Sequence, residues 1–228
     1  MAIFKPGPAI GQISGRIGGS VFSHNRGGAY IRNGAIPTRV TTPYAEAAKN
    51  RLAVFSAAWA GLSTADQLAW KLWATQNPIT NRLGDQITLS GHGAYVQLNT
   101  TIDLAGGTPI DIPPVVAPPT ALLTLTPDYS IANPVEIAYT ATPVGASNVV
   151  FSEVAISDNP GVQYVRNLFK LVDVSAANQG SPISLGAAIA TRFGTLQPGQ
   201  GCFFRISIVD QDTGLRSQPL STNGVLTA

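Results

Sequence analysis

The sequence predicts an α+β chain built in parts: an extended N-terminal arm over 1–42, a small helical region over 43–108, a proline-rich connector over 109–120, and an antiparallel β-sandwich over 121–228. Three observations lead there. The first forty residues are glycine-rich and basic. Apolar residues then recur three and four apart, and beyond residue 121 they alternate in short runs separated by turn residues.

Over 1–42 the apolar residues stand singly among glycines, and no acid occurs from Ile13 to Val40. Partial alternation in SVFSH and AYIRN predicts two short β segments joined by NRGG. So little contiguous apolar surface has to set itself against about 1–2 kcal/mol of backbone entropy per ordered residue, so ordering must draw on contacts with another part of the chain or another subunit. Hence the expectation of an arm.

Thr42 then caps a helix with Pro43 in its first turn, and Ala45, Ala48, Leu52, Phe55, Trp59 and Leu62 form one stripe along it. Gly61 marks its end. Ser63 opens a second helix with Asp66 in its first turn, running to about Gln76 before Asn77-Pro78, with Leu68 and Leu72, and Trp70 and Trp73, on faces able to meet the first. The two make an αα-hairpin. After a loop containing NRLGD, a third helix from about Gly91 to Ala105 carries Tyr95, Leu98 and Ile102 on one face and stops at Gly106-Gly107.

PIDIPPVVAPPT, from Pro109 to Thr120, reads as an extended, semi-rigid spacer and places the domain boundary. Beyond it, Val135, Ile137 and Tyr139 alternate, as do Val150, Ser152, Val154 and Ile156. Phe169, Leu171, Val172 and Val174 make another run, and Cys202, Phe204, Ile206 and Ile208 line one face of a strand while Phe203, Arg205 and Ser207 face the other. Turns such as DNPG, QPGQG and DQDTG separate them, giving a sandwich of about seven strands.

Composition narrows function. Charged residues make up 11% of the 228, against roughly 25% in ordinary soluble domains. That fits either a low-charge extracellular type of β protein or a subunit whose surface is covered by copies or partners. Charge is also polarised: residues 1–51 carry +6 and the remainder −4. A basic arm suits nucleic acid or an acidic protein surface, but dense Lys/Arg clusters and base-stacking aromatics are not evident, so direct nucleic-acid binding is not expected. Cys202 is the single cysteine, which leaves neither an intrachain disulfide nor a Cys/His zinc site. No signal-peptide run and no membrane-length apolar stretch appears, so assembly in a cytoplasm is the expectation.

Enzymatic readings find little support. GRIGGS lacks the lysine and following helix of a phosphate loop. His24 and His92 have no triad spacing around them; Asp210 and Asp212 fall on a predicted hairpin tip; Trp59, Trp70 and Trp73 suit helix packing better than a sugar platform. The expectation is no enzyme, no catalytic residue, no cofactor and no metal.

Two resemblances add to this. Leu196, Pro198, Cys202, Phe204, Ile206, Gly214, Ser217 and Pro219 follow the order of the last strands of a fibronectin type III domain, with Cys202 where that family has its corner tyrosine. The resemblance implies an immunoglobulin-like or fibronectin-like sandwich. In the front half, Gly15, Gly18, Gly19, Val21, Phe22, Asn25, Arg26, Gly27, Gly28, Tyr30 and Arg32, followed by Trp59, Leu62, Ser63 and Trp70, resemble an arm and Trp hairpin module of tailed-bacteriophage virion structural proteins. That implies a virion protein, in the first place a capsid decoration or cement protein, with a tail or neck component as the second structural choice. Its partners would be the major capsid protein, tail or neck subunits, and copies of itself. Arg16, Val21, Phe22, Asn25, Arg26, Tyr30, Arg32 and Arg39 are the expected partner-binding residues. A carbohydrate-binding or host-adhesion module, using the C-terminal domain on host glycans, is the alternative from another class.

Overall fold

A computed structural model describes residues 2–8, 10–34, 42–81, 83–131, 135–140, 144–162 and 165–228. The protein is a mixed α+β chain with four helices and several antiparallel sheets among these residues. It divides into two compact units, one of Met1–Gln97 with Asp111–Pro113, the other of Leu98–Ile110 with Pro114–Ala228. The chain passes between the units inside the third helix and twice more within the proline-rich stretch 109–120.

In the first unit, β1 (Ala2–Phe4), β2 (Gly15–Ile17), β3 (Ser20–Asn25) and β4 (Gly28–Asn33) form an antiparallel sheet in the order β1-β4-β3-β2. The NRGG hairpin predicted between two β segments is present as the β3–β4 turn. Contrary to the expected single extended arm, however, the segment folds back on itself three times. Two-residue glycine turns make this sterically easy: Gly18-Gly19 joins β2 to β3, with Gly18 at φ 56, and Arg26-Gly27 joins β3 to β4, with Asn25 Oδ1 accepting from the Gly27 N–H at 2.9 Å. The sheet is thin. Ala29 is its one buried residue among those described.

Helix α1 (Pro43–Gly61) begins at Thr42, whose side chain accepts from the Ala45 N–H, and α2 (Thr64–Gln76) begins at Ser63, which accepts from Asp66 N–H at 3.1 Å. Both caps and the proline at the start of α1 are where the sequence puts them. The apolar stripe of α1 is used only near its C-terminal end: Phe55 is buried, Trp59 and Leu62 are half-buried, and Leu52 is exposed. With 19 residues against 13 in α2, the first turns of α1 run beyond the length its hairpin partner can cover. Leu68 and Leu72 do not meet α1. They are 64% and 59% exposed, because Trp70, Trp73 and Ala74 occupy the inward arc of α2 and a helix turns positions 68 and 72 to the other side.

A small ribbon of β5 (Ile79–Thr80) and β6 (Gln86–Ile87) follows, then α3 (Gly91–Leu104). Tyr95 from the start of α3 meets Trp70 edge-on at 5.5 Å and Trp59 at 5.6 Å, and Trp70 meets Trp73 at 5.8 Å. The tryptophans are the packing core of the hairpin. Trp70, fully buried, donates from Nε1 to the Asp111 carbonyl at 2.7 Å.

In the second unit, β9 (Asn148–Ser157), β10 (Lys170–Val174), β12 (Gly201–Asp210) and β13 (Leu220–Val225) form a sheet in the order β10-β9-β12-β13. Strands β7 (Thr124–Asp128), β8 (Glu136–Thr140) and β11 (Ile183–Ser184) form another, ordered β11-β8-β7, and α4 (Gly186–Phe193) lies between β11 and β12 in the chain. One core joins the two sheets: Val135, Ile137 and Tyr139 from the smaller, Val150, Val154, Cys202, Phe204, Ile206 and Ile208 from the larger, with Ile189 of α4. The predicted alternations of β8 and β12 are those inner faces.

Strand β9 departs from the predicted alternation, since Val149 and Phe151 are buried as fully as Val150 and Val154. Its outer face is covered by Leu104 and Ala105, at the end of α3, and by the loop carrying Val165 and Phe169. The connector is likewise tied at its start. Buried Asn99 of α3 donates to Ile110 O at 3.0 Å and accepts from Ile110 N–H at 2.7 Å, while farther along Val115 is 99% exposed.

Candidate functional site

Strand register sorts the predicted partner-binding residues onto faces. Arg16 pairs across from Val21, and Val21 from Arg32, so these three form a row across β2, β3 and β4. Residues directly opposite in a ladder share a face. The next row on that face is Ser23, Tyr30 and Ile3. Two guanidiniums, a phenol ring and two aliphatic side chains therefore present together, and Val21, Tyr30 and Ile3 are only half-buried.

The structure thus brings together Arg16, Val21, Tyr30 and Arg32. Phe22 is on the other face, where it meets Phe4 edge-on at 6.2 Å. Asn25 and Arg26 are at the exposed β3–β4 turn. Arg39 lies outside the described residues.

Arg16 donates from Nε to the Gly18 carbonyl at 3.1 Å, and Gly34 leaves the space in which its guanidinium lies; a Cβ there would stand 3.3 Å from Nε. Among the described residues no carboxylate lies within ion-pair distance of Arg16, Arg26 or Arg32. Arginines on strands two apart are about 10 Å from each other. Both are spaced to take separate carboxylates. Strand β2 is a sheet edge, with all three residues exposed and Ile17 70% so, and its outward N–H and C=O groups are open to another strand.

Reading by periodicity missed what fastens the opposite side of this sheet. Lys5 forms an ion pair with Asp85 at 2.6 Å, and Asn81 donates to the Gly27 carbonyl at 3.3 Å, so the loop of the β5–β6 ribbon holds the β3–β4 turn. Hydrogen bonds from Lys5, and next from Asn81, lower the Asp85 pKa below its ordinary value. Lys5 and Asp85 are eighty positions apart, and no local pattern announces such a pair.

The other residues weighed for chemistry have structural occupations. His92 packs edge-on against Trp59 at 5.7 Å. Asp210 accepts from the Asp212 N–H at 2.9 Å and from the Thr213 hydroxyl at 2.8 Å, which shapes the β12 turn as predicted for a hairpin tip. The Cys202 thiol is fully buried, and burial pushes its pKa up to about 12. No helix among the described residues is long and apolar enough to cross a membrane.

No family model matches the chain, and no curated protein matches it. The functional reading therefore rests on its own residues and their placement.

Proposed function

We propose that the protein is a non-enzymatic structural component of a tailed-phage virion, in the first place a capsid decoration protein. In this reading the N-terminal sheet and Trp hairpin bind neighbouring subunits and the second unit is displayed. The observation that carries it is the face of Arg16, Val21, Tyr30 and Arg32 on a sheet with one buried residue among those described. A sheet so thinly supported gains most when a partner covers it, and two guanidiniums flanking an apolar centre suit carboxylates rimming an apolar patch. Exposed Leu68 and Leu72 add a second apolar surface in the same unit.

For the second unit the reading is a fibronectin-like or immunoglobulin-like sandwich. Strands one, two and five of its seven share one sheet and three, four, six and seven the other, around a common core. Constant-type immunoglobulin domains place the fourth strand with the first, second and fifth; here it pairs beside the third. That arrangement, together with the Leu196-to-Pro219 pattern, favours the fibronectin type.

The test is co-sedimentation with particles lacking the protein. Full-length chain is expected to add to them, while Arg16→Glu/Arg32→Glu and a chain lacking residues 1–42 stay in the supernatant. Undiminished addition by both would overturn the reading. Immunogold labelling of the virion then separates head, neck and tail.

A further inference from the structure

On its outer face, at the end away from α3, the four-stranded sheet of the second unit carries a shallow groove of about 440 Å³. Its floor is set by register: Arg205 of β12 lies opposite Ser221 of β13, and Phe203 opposite Asn223, so all four share the outward face. Phe169 and Arg166, from the loop before β10, form the facing wall.

The cations here are unequally engaged. Arg205 is fixed on two sides, by an ion pair from Nε to Glu153 and by the Phe169 ring 4.4 Å from its guanidinium carbon. The same Glu153 also takes Arg216 at 2.9 Å, so one carboxylate serves two guanidiniums. Arg166 is exposed and has no carboxylate partner among the described residues. The cluster is left with a surplus of two positive charges, and no carboxylate lines the groove.

We propose that this groove binds a sugar acid, a glycan residue bearing a carboxylate. Its volume lies in the roughly 300–1,000 Å³ range of small-ligand sites. The Arg166 guanidinium supplies a bidentate partner for the carboxylate, and Arg205, held in place beforehand, lends its remaining donors without reorganising. Ser221 and Asn223 offer hydroxyl and amide groups to sugar hydroxyls, while Phe169 and Phe203 supply the apolar wall that a pyranose C–H face requires. A peptide added as a further strand finds one end of that edge taken: just past β13, Thr227 exchanges hydrogen bonds with Tyr129 and Ile131, at 3.0 and 2.9 Å. The inference does not depend on the virion reading, and either can fail alone.

The experiment is amide chemical-shift titration of the full-length protein with the methyl glycosides of N-acetylneuraminic acid, glucuronic acid and glucose, and with a hexaglutamate peptide. Saturable shifts at Phe169, Phe203, Arg205, Ser221 and Asn223 with at least one sugar acid are expected, with glucose weaker. Arg166→Ala should weaken binding about tenfold or more and Asn223→Ala by less, while Lys71→Ala in the first unit changes nothing. The proposal is overturned if neither sugar acid moves these signals at about 20 mM, well above millimolar affinity. It is equally overturned if glucose binds as well as the acids with Arg166→Ala indifferent, or if hexaglutamate alone occupies the groove.

Discussion

Gly107 and Gly214 stand where no side chain fits. A Cβ at Gly107 would overlap the Gln211 carbonyl oxygen, and one at Gly214, where φ is 70, would come within 2.6 Å of Leu98 O. The turn after α3 and the β12 loop approach backbone to backbone there, reinforced by Gln211 donating to Ala105 O. Gly107→Ala is expected to destabilise by about 2–4 kcal/mol, read as a lower denaturant midpoint with an unchanged slope. Asn99→Ala should cost about 2–3 kcal/mol, because it strands both Ile110 backbone groups; Asn99→Asp, which sets a buried carboxylate oxygen against the Ile110 carbonyl, should cost at least as much. Asp85 shows how sign follows cause. Its pKa is lowered in the folded chain, so the contribution of its pair with Lys5 is present above the unfolded value and fades as pH drops through the folded one. Titration of its carboxyl by NMR should give a midpoint below 3.8, and Lys5→Ala should return it toward that value.

Elements differ in how much of them a sequence can declare. The helices were legible because their signals are local: Thr42, Pro43 and Ser63 act within a turn, and the spacing of Tyr95, Leu98 and Ile102 marks the side of α3 that is buried. The inner faces of β8 and β12 were legible by period two. What escaped is what another element supplies. Val149 and Phe151 of β9 are buried because the end of α3 covers them, and Leu68 and Leu72 are exposed because a hairpin offers one partner helix and Trp70 and Trp73 already fill that side. Of the candidate surface, the residue types were readable, but their sorting was not: strand register, set by two glycine turns, divides Arg16, Val21, Tyr30 and Arg32 from Phe22. Leu68→Ser/Leu72→Ser should leave the melting temperature of the isolated chain within about 2 °C, since both side chains are largely exposed, and under the proposed virion role should lower uptake into particles.

For the whole molecule, the contrast is between a second unit with an extensive core and an N-terminal sheet with scarcely any. Cys202, buried in the main core of the second unit, should resist maleimide at pH 8 until that unit unfolds, so labelling reports its opening alone. The sheet over 2–33 has solvent close to nearly every strand, and its amides should exchange with deuterium far sooner than those of β9 and β12. This makes it a timer for its own engagement: deuterium taken up within seconds by the free chain and withheld for hours on a particle would mark the strands as masked, from the same sample and without any label.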